Sequence, residues 1–557
     1  MDDERVPILV GAGRLTMRVD VSQRVPSPMD LLCEATDLAA IDLGIDASAT
    51  AAALADADVY ATVNFGPVGM PAFAGGDGKY RNIYPNVPLS LAKRYGANPK
   101  PERCFSSMAS GHLPQVTVSF IAELIGRGEA HIGVIAGCEY LNLLKQAIKA
   151  GYRLAKDEQD SGERVLRWGD PQETRPQKPG GAAHHKLFTK LNVQEQNHGF
   201  NAPVNVYPIY EQALRRAQGL SMEDHMQAVS SVWAGFSEVA SEQPEHSWFP
   251  RARSSREIQR PGPDNRYVGY PYTKYHCSVI DVDQSAALIV MSVAEAKRRG
   301  VPQEKWVYLH GCSETIEMDT LYRQDLHRSR AMEMMGHQCF KDANVTVDQI
   351  QQFDVYSCFP SAVEMGTKSL GIKEDVASNA RRLTVTGGLA FHGGPGANYV
   401  THSIAAMVQH VRAHPGTFGM VTANGGFLSK HAAGIYSTTP YSTTHPEAKA
   451  WSRTDPAEYQ TVLDNLPKFP IAEKPHGIGR VETYTVLHNQ KGPTQAICIG
   501  ILQDGIDKGK RFIAVSSNKS VLEQMVSKDF LGLGVLVRSD LDGKGQNTFD
   551  LGAASKL

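Results

Sequence analysis

The chain has 557 residues, too many for one simple core, so two or three domains are expected. Apolar residues make up 42% and charged residues 21%, an ordinary globular balance that excludes a disordered or fibrous chain. Lys plus Arg (57) nearly cancels Asp plus Glu (59), leaving a formal charge of -2, so no global field draws nucleic acid or an anionic membrane.

The N-terminus, MDDERVPILV, is acidic, with no basic segment ahead of an apolar run, and no stretch of about 18 apolar residues follows anywhere. Neither a secretory leader nor a transmembrane segment is expected. Strand-like runs at 7–14, 130–140, 305–313 and 416–426 alternate with helical patterns at 27–42, 113–128, 209–218, 329–342 and 399–412, an α/β arrangement. Ser27-Pro28 marks the first of these helices as a capped start. The polar, Gly/Pro-punctuated stretch from about 155 to 205 reads as a long surface excursion. After residue 440, short alternating runs, RVETYTVLH, TQAICIGIL, KRFIAVSS and LGLGVLVRS, predict a small β-barrel or OB-like unit.

An internal repeat is visible. DVYATVNF (58–65) is answered by DVYSCFPS (354–361). Gly111-His112-Leu113-Pro114 leads through a helical pattern to HIGVIAGCE, just as Gly393-Gly394-Pro395-Gly396 leads through another to FGMVTANGG. Each half reads as strand, glycine-bearing loop, helix and buried small-residue strand, the signature of a duplicated α/β unit. The expected division is a first half at 1–300 with an inserted region at about 155–260, a second half at 301–440, and the β-rich unit at 441–557. The eight cysteines are scattered, without the paired spacing of a zinc site or disulfide framework, so no metal ligand set is read from the sequence. The final residues Ser555, Lys556 and Leu557 form a peroxisomal import address, with an import receptor as its reader and the peroxisomal matrix as the expected location.

VTGGLAFHGGPGANYVTH (385–402), DVYSCFPSAVEMG (354–366), VDQSAALIV (282–290) and ANGGFLSKHAAGIYSTTP (423–440) together resemble the thiolase superfamily. With GRVETYTVLHNQKGP (479–493), the chain resembles more narrowly the thiolase-like protein type 1 group with its additional C-terminal domain. The resemblance implies a duplicated α/β fold layered α/β/α/β/α, an acyl-CoA thioester substrate held where the halves meet, no covalently bound cofactor, and a homodimer among the assemblies. It also implies four catalytic loops, which this chain departs from. Met108, in FSSMASGHLPQ, stands where a thiolase has its nucleophilic cysteine, and a thioether cannot be acylated. Cys104 lies four residues upstream. Ala423-Asn424-Gly425 replaces the C-x-G turn whose cysteine acts as general acid and base.

The loop that polarises the thioester carbonyl becomes Tyr356-Ser357-Cys358-Phe359. The Gly-His-Pro loop appears as His392-Gly393-Gly394-Pro395, with the histidine displaced by one or two positions. Tyr356 is read as a donor to a thioester oxygen, as a proton acceptor if its pKa is lowered, or as core packing, and His392 as a displaced donor or a loop histidine bonded to backbone. Lys430 and His431 either supply positive charge for an enolate or a CoA phosphate or form a solvated pair. His112 faces the cleft or caps its helix. Met108, His112, Ser357, Gly388, Gly393, Gly394, Asn424 and Gly425 are the expected substrate-lining set. Gly387-Gly388 and Gly393-Gly394 suit an oxyanion pocket but form neither a dinucleotide motif nor a P-loop. Two functions follow from the resemblance. One is carbon-carbon bond formation or cleavage on CoA thioesters, of acyltransferase or retro-aldol type, without the cysteine nucleophile. The other is a catalytically silent acyl-CoA or lipid binder, or a partner subunit.

Overall fold

The computed structural model describes residues 3–63, 86–154, 162–166, 192–373, 377–539 and 545–551. The terminal Ser-Lys-Leu lies outside these. Strands β1 (Pro7–Thr16), β2 (Val59–Val63), β3 (Cys104–Ser106) and β4 (Ile132–Tyr140) come first. A minor ladder, β5 (Arg153–Leu154) with β6 (Val165–Leu166), and two short strands, β7 (Tyr267–Gly269) and β8 (Tyr272–Thr273), follow. Next are β9 (Asp283–Ser292), β10 (Val307–Ile316), β11 (Ile350–Asp354), β12 (Phe418–Gly425) and β13 (Lys430–Ser437). The main sheet runs β11-β12-β13-β10-β1-β9-β4-β2-β3.

Its symmetry lies in the pairing. β2–β4 and β11–β12 are parallel, β4–β9 and β12–β13 antiparallel, and β9–β1 and β13–β10 antiparallel. The two halves join where β1 meets β10, at Ile8↔Tyr308 and Leu9↔Val307. Every residue of β4 and of β9 is buried, which is why these strands read as continuous apolar runs rather than alternating ones. The helices Leu113–Gly126 and Tyr399–Ala413 each touch strands of both halves and each other, making a central layer. Pro28–Ile41 packs on β1, β9 and β4, and Arg330–Ala343 on β10 and β13, as outer layers. The α/β duplication is therefore as the motifs implied.

The repeat holds for elements but not for the paired Asp-Val-Tyr pieces. Asp58 precedes β2, whereas Asp354 ends β11, so Tyr60 lies within a strand and Tyr356 beyond one. Helix starts follow their capping residues. At Ser27 the side chain accepts from Asp30 N (3.2 Å) while Asp30 Oδ2 accepts from Ser27 N (2.8 Å), and Pro28 takes the first helical position.

The helix expected at 209–218 begins six residues earlier, at Pro203, and runs through Pro208. Proline removes one backbone donor and so leaves the Val204 carbonyl without its helical partner. Residues 206–215 of this helix are all buried, so the chain enters the core just after the polar stretch read from 155 to 205. A second long helix, Met222–Ser241, follows.

The C-terminal strands are β14 (Gly477–Asn489), β15 (Gly492–Leu502), β16 (Arg511–Ser516), β17 (Gly534–Arg538) and β18 (Thr548–Asp550). Pairings β14–β15, β15–β16, β16–β18, β18–β17 and β17–β14 complete a circuit, giving a five-stranded OB-like barrel. β7 and β8 extend it through Leu487↔Gly269. Phe512, Tyr484, Val481, Met525 and Phe530 fill its interior. Among the described residues no helix is long and apolar enough to cross a membrane.

Candidate functional site

Loops from the two halves meet at the end of β12. There Asn424 stands opposite His431 and Gly425 opposite Lys430. The segment ahead of the Leu113–Gly126 helix reaches across from the first half. A Cβ on Gly111 would lie 2.5 Å from both the Asn424 carbonyl oxygen and Tyr356 Oη, so only glycine permits this approach. A Cβ on Gly425 would lie 2.1 Å from Ser110 Oγ and 2.6 Å from His112 Nδ1. Tyr356 leaves β11 with its N–H donating to Thr422 Oγ1 at 2.9 Å. Tyr356, Thr422, Asn424 and His431 on one side and Met332, Met335, Ala362 and Leu370 on the other line a small, mainly apolar hollow of about 10 Å³.

Burial sets the charge of this cluster. Tyr356 is raised well above the usual phenol range by desolvation, with Cys358 adding to it, so its hydroxyl stays protonated and can donate. His431 is fully buried, and desolvation, assisted by the Arg323 cation and only partly opposed by the Leu428 backbone, pushes its pKa down to about 3. His112 is pushed well below its ordinary value by burial, then by Lys430 and His431. Its Nδ1 sits 3.0 Å from Ser110 Oγ, while Nε2 has no partner. It stands at the helix N-terminus but makes no capping bond, so the capping reading fails. Lys430 is lowered by burial, and it and His431 are not a solvated pair.

Asn424 Nδ2 donates to Tyr207 Oη at 2.8 Å and lies 3.8 Å from Cys358 Sγ, leaving Asn424 Oδ1 buried and unpartnered. Burial drives the Cys358 thiol up to about 12. Cys33, Cys138, Cys277, Cys312, Cys339 and Cys498 are also raised by burial. None of these seven is a thiolate at neutral pH. Cys104 is buried in β3.

The structure thus gathers Tyr356, His112, Asn424, Gly425, Lys430 and His431. Met108, three residues before Gly111, is half-buried against the core. Ser357 Oγ accepts from Leu389 N at 3.3 Å and packs where a Cβ of Gly388 would fall. His392 belongs to a neighbouring group. Its ring is 6.0 Å from that of Tyr399, which is 5.5 Å from Tyr356, and 5.2 Å from that of His402. Both of its ring nitrogens lack partners, so it is not bonded to backbone through its ring. Burial, with His402, Arg14 and His246 nearby, holds it neutral. Gly393 and Gly394 abut Gln284 and Ser278 rather than the hollow. Sequence reasoning missed Tyr207, which carries no motif, and Tyr399 and His402, which lie inside the quoted GANYVTH run. Chemically the cluster offers neutral donors and acceptors at one side of a small, mainly apolar hollow, and Cys358 beside it is held protonated.

Residues 458–542 match the family described as the thiolase-like protein type 1 additional C-terminal domain. A search of curated proteins finds no match. Among solved structures, the chain is similar to a monomeric SCP2-thiolase-like protein type 1 from Mycobacterium smegmatis, with 29% identity and a TM-score of 0.78 over 99% of this chain and 100% of that one. An Ltp2-ChsH2(DUF35) aldolase (16%, TM-score 0.52) and the dimeric peroxisomal thiolase of Saccharomyces cerevisiae (14%, TM-score 0.51) each align with 78% of this chain and 98% of their own, a likeness of fold alone. By sheet order, full-length similarity and its added barrel, the chain resembles thiolase-like protein type 1 within the thiolase superfamily.

Proposed function

We propose that the chain binds CoA thioesters, or the lipid chains they carry, without the acyl-cysteine chemistry of a working thiolase. One observation supports this: the two positions at which the resemblance implies reactive sulfurs hold Met108 and Ala423, and Cys358, beside Asn424 at the hollow, is held protonated. In this reading the Tyr356 hydroxyl and the Gly425 turn face the thioester oxygen, Asn424 orients the acyl group, and Lys430 meets a phosphate of CoA. Carbon-carbon bond chemistry is the second reading, favoured by a neutral imidazole, His431, lining the same hollow as a protonated phenol. The Ser555-Lys556-Leu557 terminus supports a peroxisomal matrix location. The monomeric relative at 29% identity supports a monomer over the homodimer of the wider superfamily.

The test titrates the full chain with acetyl-, octanoyl- and palmitoyl-CoA by calorimetry. In parallel, 3-ketoacyl-CoA and 3-hydroxyacyl-CoA esters are incubated with the protein, with and without free CoA, and products are followed by mass spectrometry. Saturable binding with no shortened or lengthened chains is expected. Turnover that persists in Cys358→Ala but disappears in Tyr356→Phe would replace binding with the second reading, and failure to bind any ester would remove both.

A further inference from the structure

Three helices converge, each supplying one metal-ligating side chain, and one of them also lines the hollow through Ala362 and Gly366. Glu211 comes from Pro203–Gln218, His225 from Met222–Ser241 and Glu364 from Pro360–Ser369. One ligand atom from each lies within 4.8 Å of the others. Glu211 is 0% exposed and His225 1%. His225 Nε2 is paired with Glu211 Oε1 and lies 3.6 Å from Glu364 Oε1.

Groups outside the triad hold the far oxygens. Tyr272 Oη donates to Glu211 Oε2, and Gln218 Nε2 donates to Glu364 Oε2 at 2.9 Å. Each carboxylate is thereby turned so that its Oε1 faces the imidazole, and Glu364 Oε1 is buried with no hydrogen-bond partner. Such outer hydrogen bonds are what orient ligands in metal sites. Tyr272 is itself fixed, accepting from Ser361 N at 3.1 Å.

Charge points the same way. Two glutamate side chains share one buried space with a single imidazole between them. Among the described residues no Lys or Arg is paired with Glu211. Lys368 reaches Glu364 only at 4.0 Å, and the nearby Arg215 is bound to Asp529 at 2.7 Å. A doubly charged cation would balance the two carboxylates. One imidazole and two carboxylates are a donor set for a first-row divalent ion. Glu364 keeps 20% of its side chain exposed, which gives a path from solvent.

We propose that Glu211, His225 and Glu364 bind one divalent first-row transition cation, which clamps the two inserted helices to the helix that follows the Tyr356 loop. The sequence did not show it because the ligands are spread from residue 211 to residue 364, with no motif spacing.

The experiment uses the full chain stripped with EDTA and dialysed against zinc. One zinc per chain by elemental analysis is expected, with a rise in melting temperature and an X-ray absorption signature of mixed nitrogen and oxygen ligands at about 2.0–2.2 Å. E364Q and H225Q are each expected to weaken zinc binding at least about tenfold. E364Q, altering the solvent-reaching ligand, should fold and melt without metal close to stripped wild type, since the amide keeps the size and shape of the carboxyl group. Zinc below about a tenth of an equivalent per chain, with manganese equally low, would overturn the proposal and leave a proton-sharing Tyr-Glu-His-Glu group. Wild-type zinc affinity in E364Q would overturn it too, by placing the metal elsewhere.

Discussion

Burial at His431 has a measurable cost on the acid side. Its pKa is about 3 in the folded chain, against about 6.5 for an unfolded histidine, so below pH 6.5 the unfolded state takes up a proton that the folded state refuses. Its contribution is therefore complete above pH 6.5 and is lost as pH falls toward 3. Between pH 7 and pH 5 the loss is about 2 kcal/mol for this residue. His431→Gln is expected to remove it, so wild type should lose about 2 kcal/mol more than the variant over that interval in urea unfolding at the two pH values. Equal losses would mean that His431 is not held neutral. The same desolvation explains why the site was only partly legible. Residue types at 108, 356, 423, 424 and 431 showed which sulfurs were gone, but a sequence carries no burial, and burial is what makes Tyr356 and His431 neutral.

At the level of elements, helices at 27–42, 113–128, 329–342 and 399–412 were readable to within about two residues, because apolar periodicity and residues such as Ser27 and Ser329 mark them. The helix beginning at Pro203 was not, since Pro208 looks like a start when it is an interior position. What accommodates it is remote: Gly269 of β7 packs on the Val204 carbonyl, and a Cβ there would come within 2.3 Å of that oxygen. Gly269→Ala is expected to cost about 1–3 kcal/mol, seen as a lower urea midpoint, because a backbone atom has to give way. A neutral result would show the helix free to shift. β7, β8 and the three-residue β18 escaped the sequence reading because each gains its identity only from a partner strand.

Across the whole molecule, the barrel is fastened by Arg511, which is fully buried. It pairs with Glu482 through two contacts of 2.9 and 3.0 Å, donates to the Leu321 and Arg323 carbonyls, and stacks 4.0 Å over Phe469. Arg511→Met leaves Glu482 and those carbonyls without their donor. It is expected to destabilise the chain by about 3 kcal/mol and to let protease release a barrel-sized fragment. Intact wild-type-like melting and resistance to cleavage would show that apolar contact alone holds the two units together. The duplicated core and the appended barrel were visible from periodicity and strand spacing; their attachment was not, because contacts such as Arg511 to the Leu321 and Arg323 carbonyls, Arg215 to Asp529 and Thr483 to the Ile209 carbonyl join residues far apart in the chain.

The closed barrel circuit has a consequence for self-association. With β15 returning to β14, the strands at the open ends of the two sheets, among the described residues, are β3, β11 and β8, of three, five and two residues. Backbone-to-backbone addition of one copy to another at these sheet ends therefore has only two to five residues of template to grow from.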